Sequence, residues 1–186
     1  MNEKLIVALD VSTRDQAFEL VKQLDGEVGA FKIGMQLYNS EGPDIVRDIQ
    51  RIGGKVFVDL KFHDIPNTVG QTSRVMVRRE AFMFTLHASG GFKMLKAAAD
   101  SCADEAALLK VDKPLLLAVT VLTSISQDAF NNEIGLSGTI EQQVTKWAAL
   151  AKQAGIDGVV CSPWEISAMR RKLINCNSRG SSCLGC

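Results

Sequence analysis

What narrows the possible folds of this chain most is a repeated alternation: short, nearly continuous apolar runs, each followed by a stretch whose apolar residues recur at helical spacing. Residues 4–9 (KLIVAL) read as a strand, and Ser12 then caps a helix with Ala17, Leu20, Val21 and Leu24 on one side. Residues 30–33 (AFKI) read as a second strand, followed by a helix over 43–52 that aligns Ile45, Ile49 and Ile52 before Gly53-Gly54 ends it. The pattern continues with a strand at 55–60, a helix at 69–79, a strand at 83–87 and an alanine-rich helix after Gly90-Gly91. A strand at 114–120, a helix within 140–154, a strand at 158–161 and a helix from Pro163 complete it. Strands this apolar are buried on both faces, so six successive βα units imply an α/β fold with a parallel sheet, either doubly wound or curled into a (β/α)₈ barrel. The units repeat every roughly 25 to 45 residues, and a closed barrel takes eight of them in about 250 residues. A chain of 186 residues is therefore expected to stop two units short.

The expected organisation is an incomplete barrel domain over 1–172 and a divergent tail over 173–186. The tail (LINCNSRGSSCLGC) has neither strand alternation nor a helical stripe and is expected to be unstructured. It holds Cys176, Cys183 and Cys186, whose C-x₂-C has no second pair or histidine to complete a metal site. Cys102 and Cys161 bring the cysteines to five, an odd number that does not suit a disulfide scaffold. Twenty-one Lys and Arg balance 21 Asp and Glu, with no basic block, which argues against nucleic acid or an anionic membrane as partner. No apolar run approaches the roughly 18 residues of a membrane span. Met1-Asn2-Glu3-Lys4 leads into the first strand without the features of a signal or transit peptide, so the cytoplasm is the expected compartment.

In parallel α/β folds the ligand binds at the carboxyl ends of the strands. Those ends carry Asp10, Lys32, Asp59 with Lys61, His87, Thr120 with Thr123, and Ser162. The densest piece is DLKFHDIPNT at 59–68, where strand alternation puts Asp59 and Lys61 on one face and Val58 and Leu60 on the other. Charges directed into a barrel must be paired, and burying them for structure alone tends to cost stability. Alternating carboxylates and ammoniums favour one another's charged forms, which keeps a lysine able to donate a proton. Such an array can also hold developing negative charge without a cofactor, a chemistry suited to a carbanion. His63 and His87 lack a neighbouring Glu or Cys at ligand spacing and read as structural or supporting histidines, not as zinc ligands.

At these ten residues the sequence resembles the orotidine 5′-phosphate decarboxylases. Similar pieces elsewhere are IVALD with Asp10, FKIG with Lys32, LHASGG at 86–91, LAVTVLTS at 117–124 and DGVVCSPWE at 157–165. The resemblance implies a TIM (β/α)₈-barrel homodimer that converts orotidine 5′-monophosphate to uridine 5′-monophosphate and CO₂ in pyrimidine biosynthesis, without metal or organic cofactor. It implies Lys61 as the proton donor to C6 of the pyrimidine, Asp59 beside the substrate carboxylate, and Lys32 and Asp10 as ribose-side contacts that complete the charged network. Asp64, Ile65 and Thr68 match positions that reach into the partner subunit's site, and Thr123 matches a pyrimidine-binding position. The TPGIRP-like and IGRP-like segments with which the family grips phosphate do not occur, and the likeness fades after about Arg171. Two other readings stay open. One is a catalytically silent fragment that pairs with a full-length subunit and lends it Asp64 and Thr68. The other is a metal-dependent phosphosugar decarboxylase or aldolase, which needs acidic metal ligands.

Overall fold

The computed structural model describes residues 2–166, Met169 and the backbone of residues 182–185. Seven strands form one all-parallel sheet in chain order: β1 (Asn2–Ala8), β2 (Val28–Gly34), β3 (Val56–Phe62), β4 (Met83–His87), β5 (Leu115–Val119), β6 (Gly158–Cys161) and β7 (Ser182–Gly185). The helices between them are α1 (Arg14–Gln23), α2 (Met35–Glu41), α3 (Ile45–Arg51), α4 (Pro66–Arg78), α5 (Gly91–Leu109) and α6 (Ile140–Gln153). Parallel neighbours in strict chain order, with a helical crossover before each strand from β2 to β6, make the wall of a (β/α) barrel and not a doubly wound sheet, in which the strand order reverses. No helix among the described residues is long and apolar enough to cross a membrane.

Alternation along the strands separates two apolar layers. Ile33, Val56, Val58, Phe84, Leu86, Leu116, Ala118 and Val159 face the helices and join the larger core. Phe57, Met83 and Leu117 point to the opposite, inner face, where Ile6, Leu115 and Val160 pack against them. Phe84 is fully buried where the sheet meets the helices, and its ring centroid lies 5.8 Å from that of Phe62. Phe84→Ala is expected to lower the unfolding free energy by about 3–5 kcal/mol, measured by urea denaturation, because the cavity left behind adds to the lost burial.

Several local expectations are corrected. Thr13, not Ser12, caps α1: its Oγ1 accepts from the Gln16 amide at 3.4 Å, while the Ser12 hydroxyl accepts from Gln36 Nε2 and ties this turn to α2. The third helix is shorter than its apolar spacing suggested, and the short α2 precedes it. α4 begins at Pro66, three residues before its apolar stripe, because proline suits the first helical turn. Gly70 lets α4 approach α5 closely; a Cβ there would lie 2.9 Å from Ser101 Oγ and 3.4 Å from the Ala97 carbonyl oxygen. The helix expected from Pro163 opens with a 3₁₀ turn over Pro163–Glu165, and Ile166 after it is helical. Residues 182–185, read as part of an unstructured tail, form β7 along β6, and so β6 is paired on both sides. The unpaired N–H and C=O groups of a parallel edge strand accept any extended backbone, a contact that side-chain patterning does not record. The rest of the tail, residues 173–181 and 186, lies outside the described residues.

Candidate active site

On the inner face the apolar layer gives way to charge toward the carboxyl ends. Lys32 stands opposite Ala8 and Phe57 in the ladder, and Asp59 follows Phe57 by two residues on the same face. Lys61 Nζ lies 3.0 Å from both carboxylate oxygens of Asp59. Lys32 Nζ lies 3.7 Å from Asp59 Oδ2 and 3.6 Å from Asp10 Oδ1. The result is one chain of alternating charge, Asp10–Lys32–Asp59–Lys61, drawn from three strands and graded from exposed Asp10 to Asp59, whose side chain is only 15% exposed. Charges held this way in a partly dehydrated setting interact more strongly than in water and need little reorganisation when a reacting charge develops.

Asp59 and Lys61 do not meet by strand alternation alone. Lys61 has φ +53°, a left-handed backbone that costs a non-glycine residue about 1–2 kcal/mol. Val58 pairs with Phe84 and Phe62 with Leu86, so Asp59, Leu60 and Lys61 together stand opposite the single residue Thr85. This bulge ends regular pairing and re-aims the lysine. Thr85 is fully buried, and its Oγ1 lies 2.9 Å from both the Lys61 amide nitrogen and Asp59 Oδ1. The amide can only donate and the carboxylate can only accept, so the hydroxyl accepts a hydrogen bond from the amide and donates one to Asp59. Thr85 did not stand out as a strand-end residue. The signal for it was the shared face of Met83, Thr85 and His87, which places a hydroxyl one step below the array.

The rings of His63 and His87 stand 5.3 Å apart beside Lys61. Burial pushes the His87 imidazole below its ordinary 6.5; the His63 ring and the Lys61 ammonium act in the same direction, and Asp59 opposes them. A histidine whose folded-state value is depressed contributes stability that is fully present above the unfolded value and is lost as pH falls. The urea midpoint should therefore decline on acidification below about pH 6.5, and His87→Asn should flatten that decline.

The other expected site residues stand apart from the array. Asp64, Ile65 and Thr68 are exposed where β3 passes into α4, with the Ile65 amide donating to Asp64 Oδ1 at 2.6 Å. Thr123 is exposed in the loop after β5. Thr120 is buried and its hydroxyl donates to the Val160 carbonyl, so it joins β5 to β6 and takes no part in the array. The Ser162 amide donates to Glu165 within the 3₁₀ turn. A cavity of about 290 Å³ lies at the other end of the strands, between Asp25, Phe31, Lys55 and Phe82, and is not lined by Asp10, Lys32, Asp59 or Lys61.

Known proteins are similar to this chain in sequence and fold. The family described as orotidine 5′-phosphate decarboxylase / HUMPS matches residues 3–181. A protein of Syntrophomonas wolfei named orotidine 5′-phosphate decarboxylase is 55% identical over 90% of this chain and 71% of its own length. One of the same name from Heliobacterium modesticaldum is 48% identical over 90% of this chain and 69% of its own. The crystal structure of orotidine 5′-phosphate decarboxylase from Lactobacillus acidophilus superimposes with a TM-score of 0.83 at 37% identity, covering 90% of this chain and 75% of that one.

Proposed function

Because the chain belongs to the orotidine 5′-phosphate decarboxylase / HUMPS family, we propose that it converts orotidine 5′-monophosphate to uridine 5′-monophosphate and CO₂ in pyrimidine biosynthesis, with Lys61 as the proton donor. The observation that carries this reading is the Asp10–Lys32–Asp59–Lys61 array at the carboxyl ends of β1 to β3.

Breaking the bond between C6 and the carboxylate releases CO₂ and leaves the electron pair on C6. That vinylic carbanion has no adjacent electron sink, so the protein must stabilise it by charge and protonate it quickly. The Lys61 ammonium supplies both: its charge faces the developing carbanion, its proton forms the new C6–H bond, and it regains a proton from solvent. Asp59 fixes the ammonium and stands beside the departing carboxylate, where its negative charge disfavours the bound substrate relative to the carbanion and CO₂. Lys32 and Asp10 contact the ribose, Thr123 the pyrimidine, and no metal or organic cofactor takes part.

The same reading makes the protein a cytoplasmic homodimer with shared sites, in which Asp64, Ile65 and Thr68 reach the partner's substrate, and which has no nucleic-acid or membrane partner. Support comes from the residues that follow β2, β3 and β4: Met35, Ile65 and Phe92 are 54%, 66% and 43% exposed, three apolar side chains turned outward at the site end of neighbouring strands.

Uridine 5′-monophosphate formation by the purified chain tests the reading. Turnover should persist in EDTA. If EDTA removed it and magnesium restored it, a metal-dependent phosphosugar chemistry would replace the cofactor-free one.

A further inference from the structure

We propose that Thr85 is a positioning residue for this reaction: its hydroxyl, clamped between the Lys61 amide and the Asp59 carboxylate, sets where the proton donor sits. The inference rests on the assignment of Lys61 and Asp59 to the chemistry. Thr85 touches neither the reacting atoms nor the Lys61 ammonium, and it acts through the two residues that do.

Three observations converge on this hydroxyl. It is fully buried, so neither of its hydrogen bonds can be exchanged for water without opening the sheet. It lies 2.9 Å from the backbone of one catalytic residue and 2.9 Å from the side chain of the other. It stands opposite the bulge in which Lys61 holds its left-handed backbone. A bulge removes amides from the regular ladder, and a buried amide without a partner is costly. The Thr85 hydroxyl takes the place of the missing ladder acceptor, so the bond that satisfies the amide also stabilises the strained conformation. Its proton, with nowhere else to go, points at Asp59 Oδ1 and competes for the oxygen that Lys61 Nζ also approaches at 3.0 Å. One group therefore fixes the origin of the lysine side chain and the orientation of the carboxylate that receives its far end. A β-branched residue suits this task, because its side-chain torsion is restricted and the hydroxyl keeps a single direction.

Valine has the shape of threonine without the hydroxyl, so Thr85→Val removes both bonds and leaves the volume filled. Thr85→Ser keeps the hydroxyl. Small misplacements of a catalytic group reduce turnover steeply, whereas substrate affinity is set mostly by remote contacts. Thr85→Val should lower kcat by about 10- to 100-fold, with KM for orotidine 5′-monophosphate within about threefold of wild type. Thr85→Ser should stay within about threefold in both. A fall in kcat of less than about fivefold in Thr85→Val, or an equal fall in Thr85→Ser, would overturn the proposal in favour of a packing role. If Thr85→Val does not fold, Thr85→Ala removes the same hydroxyl and is read the same way.

Hydrogen exchange at the Lys61 amide, followed by NMR, gives a readout that needs no turnover. The amide should be protected in wild type and Thr85→Ser and should exchange at least about tenfold faster in Thr85→Val. Equal protection in wild type and Thr85→Val would show that the hydroxyl does not hold the Lys61 backbone, whatever the enzyme's activity. A wild-type chain that formed no uridine 5′-monophosphate while showing this exchange pattern would contradict the proposed function and leave the clamp standing.

Discussion

Lys61→Ala should lower kcat by at least about a thousandfold, since it removes the proton donor and the positive charge facing the carbanion at once. Lys32 does not replace it. Its ammonium lies 3.7 Å from Asp59 Oδ2, farther than that of Lys61, and is paired with Asp10 as well. Lys61→Arg should be nearly as inactive, because a guanidinium releases its proton too reluctantly and is too broad for the place of an ammonium held by both oxygens of one carboxylate. The backbone supplies an internal control. At φ +53° a glycine is unstrained, so Lys61→Gly should be as inactive as Lys61→Ala yet more stable by about 1 kcal/mol. Steady-state kinetics and urea denaturation of the three variants separate loss of chemistry from loss of fold. Retention of a tenth of the activity by Lys61→Ala would rule out Lys61 as the donor.

The second large effect is a gain. Lys61→Ala and Asp64→Ala chains, each inactive alone, should recover activity when mixed and allowed to exchange subunits. A site built on the Lys61 of one chain and the Asp64 of its partner is intact in half of the sites of a mixed dimer, so random exchange restores about a quarter of all sites. The geometry behind this is the exposure of Asp64, Ile65 and Thr68 where β3 passes into α4. Heterodimers that are seen by native mass spectrometry and yet remain inactive would show that Asp64 acts within its own chain or not at all.

The barrel wall was legible because its signal is redundant. The first six strands are apolar runs and every main helix carries a stripe, so local errors at Ser12, Val69 or the short α2 leave the order of units unchanged. Asp10, Lys32, Asp59 and Lys61 were legible for a simpler reason, since charges at the ends of buried strands have little to do except meet. The missing part concerns backbone geometry. Alternation correctly predicted one face for Asp59 and Lys61, but no residue type between 58 and 62 announces a left-handed lysine or a stretch in which three residues face one. Thr85 was hidden for the same reason, because a threonine in a strand is ordinary until a bulge gives its hydroxyl two partners. β7 was hidden because edge pairing runs through the backbone, and SCLG shows no strand pattern of its own.

The most direct test of the central claim is incubation of the purified chain in D₂O with orotidine 5′-monophosphate carrying ¹³C in its carboxylate, followed by NMR. The account predicts labelled CO₂ and uridine 5′-monophosphate in equal amounts, with one deuterium at C6 delivered from solvent through Lys61, and no such product from Lys61→Ala. Intact substrate after incubation with folded wild-type chain, or equal product from the wild type and Lys61→Ala, would contradict it.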